Sequence, residues 1–280
     1  MNPTVAVVAQ GAMGAGVGGR LAERGLHVIT SLAGRSEASA MRAKAAGMVA
    51  ASDQEVAQAD YFLSIVPPSE ALALAEKMAA LIGPNNKKPV YVDCNAVSPP
   101  TKVEIGNAIT KSGAPFVDVG IIGLPPKDGS SPWLHASGPD AARFGALGDF
   151  GININVIEGP VGAASALKMS YAGITKGVTA LGAMMMLAAT RNGAADGLRA
   201  ELERSQPALL PWFQRSIPAM FSKAYRFVGE MDEIADFVGE DPAAQKLYQA
   251  ISEFYTRLAA DFEAKQAETN ALSTFLKPKQ

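Results

Sequence analysis

The chain has 280 residues, of which 48% are hydrophobic and 19% charged, and its formal net charge is −2. That length suits one large or two ordinary domains, and the apolar content excludes a disordered chain. The near-neutral charge provides no basic field for nucleic acid. The lone cysteine, Cys94, excludes a disulfide framework and a cysteine metal site, and His27 and His135 lack metal-ligand spacing, so no metal is expected. The N-terminus shows neither a basic segment nor an apolar leader, and the apolar run 178–189 is short and rich in Gly and Ala. A soluble cytoplasmic chain that avoids membranes and nucleic acid is expected.

In chain order, Thr4–Val8 reads as a strand covered on both faces, because Val5, Val7 and Val8 are β-branched and apolar. Ala9-Gln10-Gly11-Ala12-Met13-Gly14 follows as a tight turn, and a helix runs from Ala15 to about Arg24 with Gly25 to end it. Strand, glycine turn and helix start form the setting in which helix amides and the helix dipole hold a dinucleotide pyrophosphate. The first glycine of the usual Gly-x-Gly-x-x-Gly pattern is replaced by Ala9; the second and third are Gly11 and Gly14. Leu26–Leu32 reads as the second strand. No carboxylate follows it until Glu37, whereas Arg35 with Ser31 and Ser36 offers donors for a 2′-phosphate. NADP is therefore expected, with NAD as the alternative.

Ser36 reads as an N-cap for a helix over Glu37–Ala46, and Ser52-Asp53-Gln54-Glu55 as a capping box. Tyr61–Val66 is a strand closed by Pro67-Pro68. Val66 and Pro67 thus lie at a strand carboxyl end, where a cofactor is expected. Ser69 is expected to cap a helix through Leu81. Pro89–Asp93 is a strand, Ser98-Pro99 opens a helix, and Pro115–Gly120, Trp133–Ser137 and Asn153–Glu158 are further strands. Alternating strands and helices predict a doubly wound parallel sheet in an α/β domain over residues 1–158.

From residue 159 onward the pattern is all-helical, which predicts a second domain over 159–280. Its helices are expected at Val161–Arg191, Ala195–Arg204, Leu209–Arg215, Ala219–Val228, Met231–Val238 and Pro242 to about Leu272. The run around Met184-Met185-Met186-Leu187 is apolar on nearly every face and must be buried, within the domain or between subunits. Near the start of the first helix, Lys168 is a single charge among small and apolar residues. Such surroundings lower a lysine pKa and suit it to acid/base work on a substrate hydroxyl. Thr175 falls close to the Lys168 face, and Thr175, Lys176 and Tyr171 are candidate substrate contacts. Arg226 and Glu230, four apart, read as a surface ion pair.

These motifs resemble the β-hydroxyacid dehydrogenase/6-phosphogluconate dehydrogenase superfamily over nearly the whole chain. Ala9-Gln10-Gly11-Ala12-Met13-Gly14 is similar to that family's Gly-x-Gly-x-Met-Gly. Arg35-Ser36 echoes its strand-end Asn-Arg-Ser/Thr, and Asp93-Cys94-Asn95-Ala96-Val97-Ser98-Pro99 its Asp-x-Ser-Thr/Asn-x-x-Pro. The resemblance implies a Rossmann domain followed by a helical domain through which two chains dimerise. It implies hydride transfer between NAD or NADP and small hydroxy acids or their oxo counterparts. It places Asn95 near the nicotinamide and the substrate, and Lys168 at the catalytic lysine. Segments 168–177 and 226–234 resemble a branch with its own type of helical domain, labelled phosphogluconate dehydrogenase-like without an assigned substrate.

The departures make the pocket more apolar. The family's Asp-x-Pro-Val-Ser-Gly-Gly loop reads Asp118-Val119-Gly120-Ile121-Ile122-Gly123-Leu124. Ile122 therefore replaces the serine that binds a substrate carboxylate, Gly123 is kept, and Leu124 replaces the second glycine. Ala172 stands where the family has asparagine. Two other functions remain open at this level: an imine or imino-acid reductase, whose members usually replace the lysine retained here, and a non-catalytic NADP-binding protein.

Overall fold

The computed structural model describes residues 2–127 and 129–277. The chain divides into two compact units, Met1–Lys168 and Met169–Gln280. The division falls ten residues beyond the expected boundary, because the first turns of the long helix belong with the sheet.

The first unit is an eight-stranded sheet in the order β3-β2-β1-β4-β5-β6-β7-β8. The strands are β1 (Thr4–Val8), β2 (His27–Ser31), β3 (Val49–Ala51), β4 (Tyr61–Ser64), β5 (Val90–Asp93), β6 (Phe116–Ile122), β7 (Trp133–Ser137) and β8 (Asn153–Val156). Its helices are α1 (Ala12–Glu23), α2 (Glu37–Ala45), α3 (Asp53–Val56), α4 (Ala71–Ile82), α5 (Pro99–Lys111) and α6 (Ala141–Gly145). Alternate residues of each strand feed two cores. Val5, Val7, Leu63, Val92, Val117 and Val119 face α1, α2 and α6, while Ala6, Val8, Phe62, Tyr91 and Phe116 face α3, α4 and α5. On the second face Phe62, Tyr91 and Phe116 stack across adjacent strands at 4.9 and 6.1 Å. The strand order reverses between β1 and β4, which creates a crevice at their carboxyl ends.

The first six strands in chain order are parallel, as expected, but β7 runs antiparallel to β6. The connection between them is a Gly/Pro loop with no crossover helix, and only an antiparallel partner can be reached that way. The sequence reading passed over β3, a short edge strand whose first two residues are exposed. Ser36 caps α2, and the capping box at Ser52 and Glu55 forms in full. Ser69 caps nothing: Pro68–Glu70 forms a 3-10 turn, and α4 begins at Ala71.

The second unit is helical. It holds the rest of α7 (Ala163–Arg191), then α8 (Ala195–Ser205), α9 (Leu209–Met220), α10 (Ala224–Phe237), α11 (Pro242–Glu263) and α12 (Ala267–Leu276). By length and hydropathy α7 could cross a membrane, yet its Ala180, Ala183, Met186 and Leu187 are buried in the helical core with Phe213, Ile217, Ile251 and Phe254. Several boundaries differ from expectation. The helix expected at Leu209–Arg215 continues to Met220, because Phe213, Ile217 and Met220 extend its buried face. The expected helices on either side of residue 230 are one helix, α10, because Ala224, Met231, Ile234 and Ala235 bury a continuous face across Gly229. The expected helix from Pro242 to Leu272 is broken after α11, where Asp261 accepts from the amides of Ala267 and Thr269 and starts α12 anew.

Candidate active site

The turn after β1 has the shape that a pyrophosphate requires. Gly11 precedes α1 with no side-chain cap, and a Cβ on it would meet nothing, so the approach to the helix amides is open. Gly14 has the opposite role. A Cβ there would lie 1.8 Å from the carbonyl oxygen of Ala9, so only glycine lets α1 start this close to β1. Ala9 is buried, Ala12 is exposed and Met13 partly so. Gln10 turns inward: its side chain is fully buried and its amide donates to Thr30 and to the carbonyl of Ser31, at 3.1 Å for the latter. Only its backbone is available to a ligand.

At the end of β2, Ser31 donates to Asp53 at 2.6 Å, and Asp53 also pairs with Lys77. The hydrogen bonds from Lys77 and Ser31 hold the Asp53 carboxyl below its ordinary range. Ser31 is thus buried and spent on the protein, contrary to its expected role as a free phosphate donor. Arg35 lies in the next loop with one nitrogen 3.2 Å from Glu70. Ser36 and Ser39 are 3.2 Å apart, and Arg42 reaches both Ser39 and the carbonyl of Gln10, at 3.0 and 2.8 Å. Sequence reading missed Arg42. Its signal is the three-residue spacing of Ser36, Ser39 and Arg42, which puts them on one side of the first turns of α2. Val66 is buried and Pro67 exposed at the carboxyl end of β4, next to the crevice.

Asn95, which the resemblance places near the nicotinamide and the substrate, has its side chain engaged by the protein. It is buried, its oxygen accepts from the Val66 amide at 2.7 Å, and its nitrogen donates to Ser64 at 2.8 Å and Asp93 at 2.7 Å. Its amide is saturated by β4 and β5, so it sets the shape of the crevice floor. Ile122 ends β6 partly buried, and Gly123 is exposed beside Pro132.

Lys168 is positioned by β6. A Cβ on Gly120 would lie 2.5 Å from the Ala164 carbonyl and 3.1 Å from the Lys168 Cβ, so glycine here brings α7 directly onto the strand. Two residues earlier, the buried Asp118 carboxylate accepts from the amides of Gly162 and Ser165 at 3.0 and 3.1 Å, and from the Ser165 hydroxyl at 2.7 Å. Ser137 accepts from the Ala164 amide at 2.9 Å. The N-terminus of α7 is thereby capped from the sheet, with the negative charge that a helix start favours. Burial, together with the nearby Lys102 cation, brings the Lys168 amine down to about 8, against the pull of Cys94, Asp93 and Asp118. Burial pushes the Cys94 thiol up to about 12, which leaves it protonated and unreactive.

The other expected substrate contacts lie in the second unit. Tyr171 is exposed, and Thr175 donates back to the Tyr171 carbonyl at 2.9 Å. Lys176 pairs with Glu230 and lies 4.6 Å from the centre of the Phe227 ring. Glu230 is thus taken by a lysine of α7, where an Arg226 pairing was expected.

The NAD binding domain of 6-phosphogluconate dehydrogenase matches residues 4–142, and a domain of unknown function, DUF1932, matches 189–258. An uncharacterised 28.5 kDa protein of Methanothermus fervidus is 32% identical over 216 residues, which cover 76% of this chain and 82% of that one. The chain belongs to the β-hydroxyacid dehydrogenase/6-phosphogluconate dehydrogenase superfamily. Members of this superfamily depend on NAD or NADP, and the first unit is its nicotinamide-cofactor domain. Among solved structures, a conserved protein of unknown function, reported as structurally similar to 3-hydroxyacid dehydrogenases, is 30% identical. It has a TM-score of 0.80 and covers 93% of this chain and 98% of its own. The 3-hydroxyisobutyrate dehydrogenase of Mycobacterium tuberculosis shares the fold at a TM-score of 0.71 and 18% identity, over 98% of this chain and 99% of its own.

Proposed function

We propose that the protein is an NADP-dependent oxidoreductase that moves a hydride between the nicotinamide and a small hydroxy compound, foremost a hydroxy acid, or its oxo counterpart. The observation that carries this reading is Lys168. It is a partly buried amine with a lowered pKa, on a helix whose start is fixed by Asp118, Ser137 and Gly120. The residues at the β1 turn fit a dinucleotide: Gly14 seats the helix against the strand, and Gly11 leaves the amides open. Arg35, Ser36 and Arg42 would hold the 2′-phosphate, with two guanidinium groups and a hydroxyl as donors.

When bound, the nicotinamide supplies or accepts the hydride. In oxidation, the Lys168 amine takes the hydroxyl proton as the C–H bond is broken; in reduction, its ammonium returns that proton to the carbonyl oxygen. Ile122, in place of the family's serine, favours a substrate with more apolar surface than the smallest hydroxy acids.

Calorimetric titration with NADPH and NADH side by side tests the cofactor assignment. Tight NADPH and weak NADH binding is expected. Arg35→Ala and Arg42→Ala should each weaken NADPH by about tenfold, the size of a lost charge-assisted hydrogen bond. NADH should be unchanged in Arg35→Ala and should weaken less than NADPH in Arg42→Ala, because Arg42 also holds the Gln10 carbonyl in the turn after β1. Equal loss for both nucleotides would remove the 2′-phosphate role.

We also infer a homodimer built through the helical unit. Ile174, Leu181 and Met185 leave an apolar stripe exposed along α7, which continues into a groove lined by Val178, Leu198, Leu202 and Phe213. Light scattering should return the mass of two chains, and Met185→Glu should return one. A monomeric wild-type protein would contradict the assignment.

A further inference from the structure

One lysine of the first unit has no access to solvent. Lys102 lies on the inner face of α5, in line with Ile105 and Ile109, and its side chain is fully buried. Its ammonium donates to the Asp93 carbonyl at 2.7 Å and to the Asp93 carboxylate, and it faces the Asp118 carboxylate at 3.5 Å. Both aspartates are fully buried as well. A buried cation is costly unless paired and hydrogen-bonded, and here it is both. Burial alone would push the Lys102 amine down; Asp93 and Asp118 overcome that and hold it above its ordinary range. The two carboxylates thus favour the charged form of Lys102.

Each aspartate has a second task. Asp93 accepts from the backbone and side-chain amides of Asn95, at 3.1 and 2.7 Å, and so holds the turn after β5. Asp118 caps α7, the helix that carries Lys168. The ion cluster thus joins the crevice floor to the acid/base helix. The charged and titratable groups around Lys168 are Lys102 from α5, Asp93 and Cys94 from the end of β5, and Asp118 from β6. Lys102 is the one cation among them.

We propose that Lys102 is a positioning residue for Lys168: its ammonium, enclosed between Asp93 and Asp118, ties the Asn95 turn to the start of α7 and presents Lys168 with a fixed like charge. The inference rests on the reading of Lys168 as the acid/base. The fixed charge disfavours the ammonium form of Lys168, which keeps a usable share of free amine near neutral pH. Loss of the Lys102 charge takes their shared cation from Asp93 and Asp118 and makes the enclosed group more negative by one charge.

The test needs neither cofactor nor substrate. Competitive labelling of the intact chain with acetic anhydride across pH, read by peptide mass spectrometry, gives the titration midpoint of the Lys168 amine. Three variants are compared with wild type. Lys102→Gln removes the charge. Lys102→Met with Asp118→Asn removes the charge but keeps a hydrogen-bonding cap on α7. Lys102→Arg keeps the charge. In Lys102→Gln the midpoint should rise by about one unit, a tenfold drop in free amine at fixed pH, as expected for loss of one close charged neighbour; the double variant also removes the Asp118 carboxylate, whose weaker pull is opposite, so its midpoint should rise by less. Lys102→Arg should restore the wild-type midpoint.

A folded charge-removing variant with an unmoved midpoint would overturn the proposal. Failure of both charge-removing variants to fold would assign Lys102 to the fold alone and overturn it equally. Failure to find any turnover would instead remove the proposed reaction and leave this titration standing.

Discussion

Replacing Lys168 with methionine should lower turnover by about 10²–10⁴-fold, the usual contribution of a positioned acid or base, while NADPH still binds. Methionine keeps the unbranched stem against Gly120 and the helix, so the loss reports the amine and not the packing. The pH dependence should follow the protonation state of Lys168. With the amine brought down to about 8, oxidation needs the free base, so its rate rises with pH through about 8 and then levels. Reduction needs the ammonium and falls over the same range.

Loss of the amine should lower turnover but raise stability. The Lys168 amine, ordinarily near 10.5, is brought to about 8 in the fold, so below pH 8 both folded and unfolded chains carry the charge. The folded chain alone bears the cost of a desolvated ammonium, and that cost disappears as pH rises from about 8 to 10.5. The methionine variant should therefore melt higher than wild type at pH 7, with the gap closing as the pH is raised. A variant that turns over at near the wild-type rate, or that melts lower at pH 7, would contradict the assignment of Lys168.

Replacing Asp118 with alanine should destabilise the protein by about 3–5 kcal/mol, the cost of breaking a buried ion pair from one side. A single carboxylate accepts from the amides of Gly162 and Ser165 at the start of α7 and from the Ser165 and Ser137 hydroxyls, and it faces Lys102. Truncation leaves each of those donors buried and short of an acceptor, and leaves Lys102 with only Asp93. Asp118→Asn keeps an acceptor for the amides and a donor for Ser165, so it should cost less than alanine. Urea unfolding curves for the three proteins measure both gaps. An alanine variant with the wild-type midpoint would mean that α7 starts without this cap.

The first unit was legible because its signals are local. Strand, glycine turn and helix follow one another at Val5–Gly14, caps stand at Ser36 and Ser52, and β-branched runs are bounded by Pro and Gly. In each case the residues that decide the structure are neighbours in the chain. The helical unit was legible as a class and less so in its boundaries. Gly229 looks like a break and is not one, because the buried face of α10 holds the helix through it. The region around Lys265 looks continuous and is broken, because Asp261 recaptures the amides that begin α12.

Lys168 was legible as a lone charge on an apolar stretch. Its environment was not. Ser31 and Asn95 carry the right chemistry at the right strand ends, yet their groups are spent on Asp53, Ser64, Val66 and Asp93, which only the sheet order brings to them. Gly120 reads as an ordinary strand glycine until α7 is laid against it. Lys102 was visible in principle, since it shares the apolar face of α5 with Ile105 and Ile109. Its partners come from the ends of two adjacent strands, so only the pairing of β5 with β6 could show that its charge is matched. Sequence by itself determined the strand–turn–helix grammar, the nucleotide-binding turn and the lysine. Tertiary structure alone decided which polar groups face the crevice and which are spent holding it, because burial and hydrogen-bond partnership depend on residues far apart in the chain.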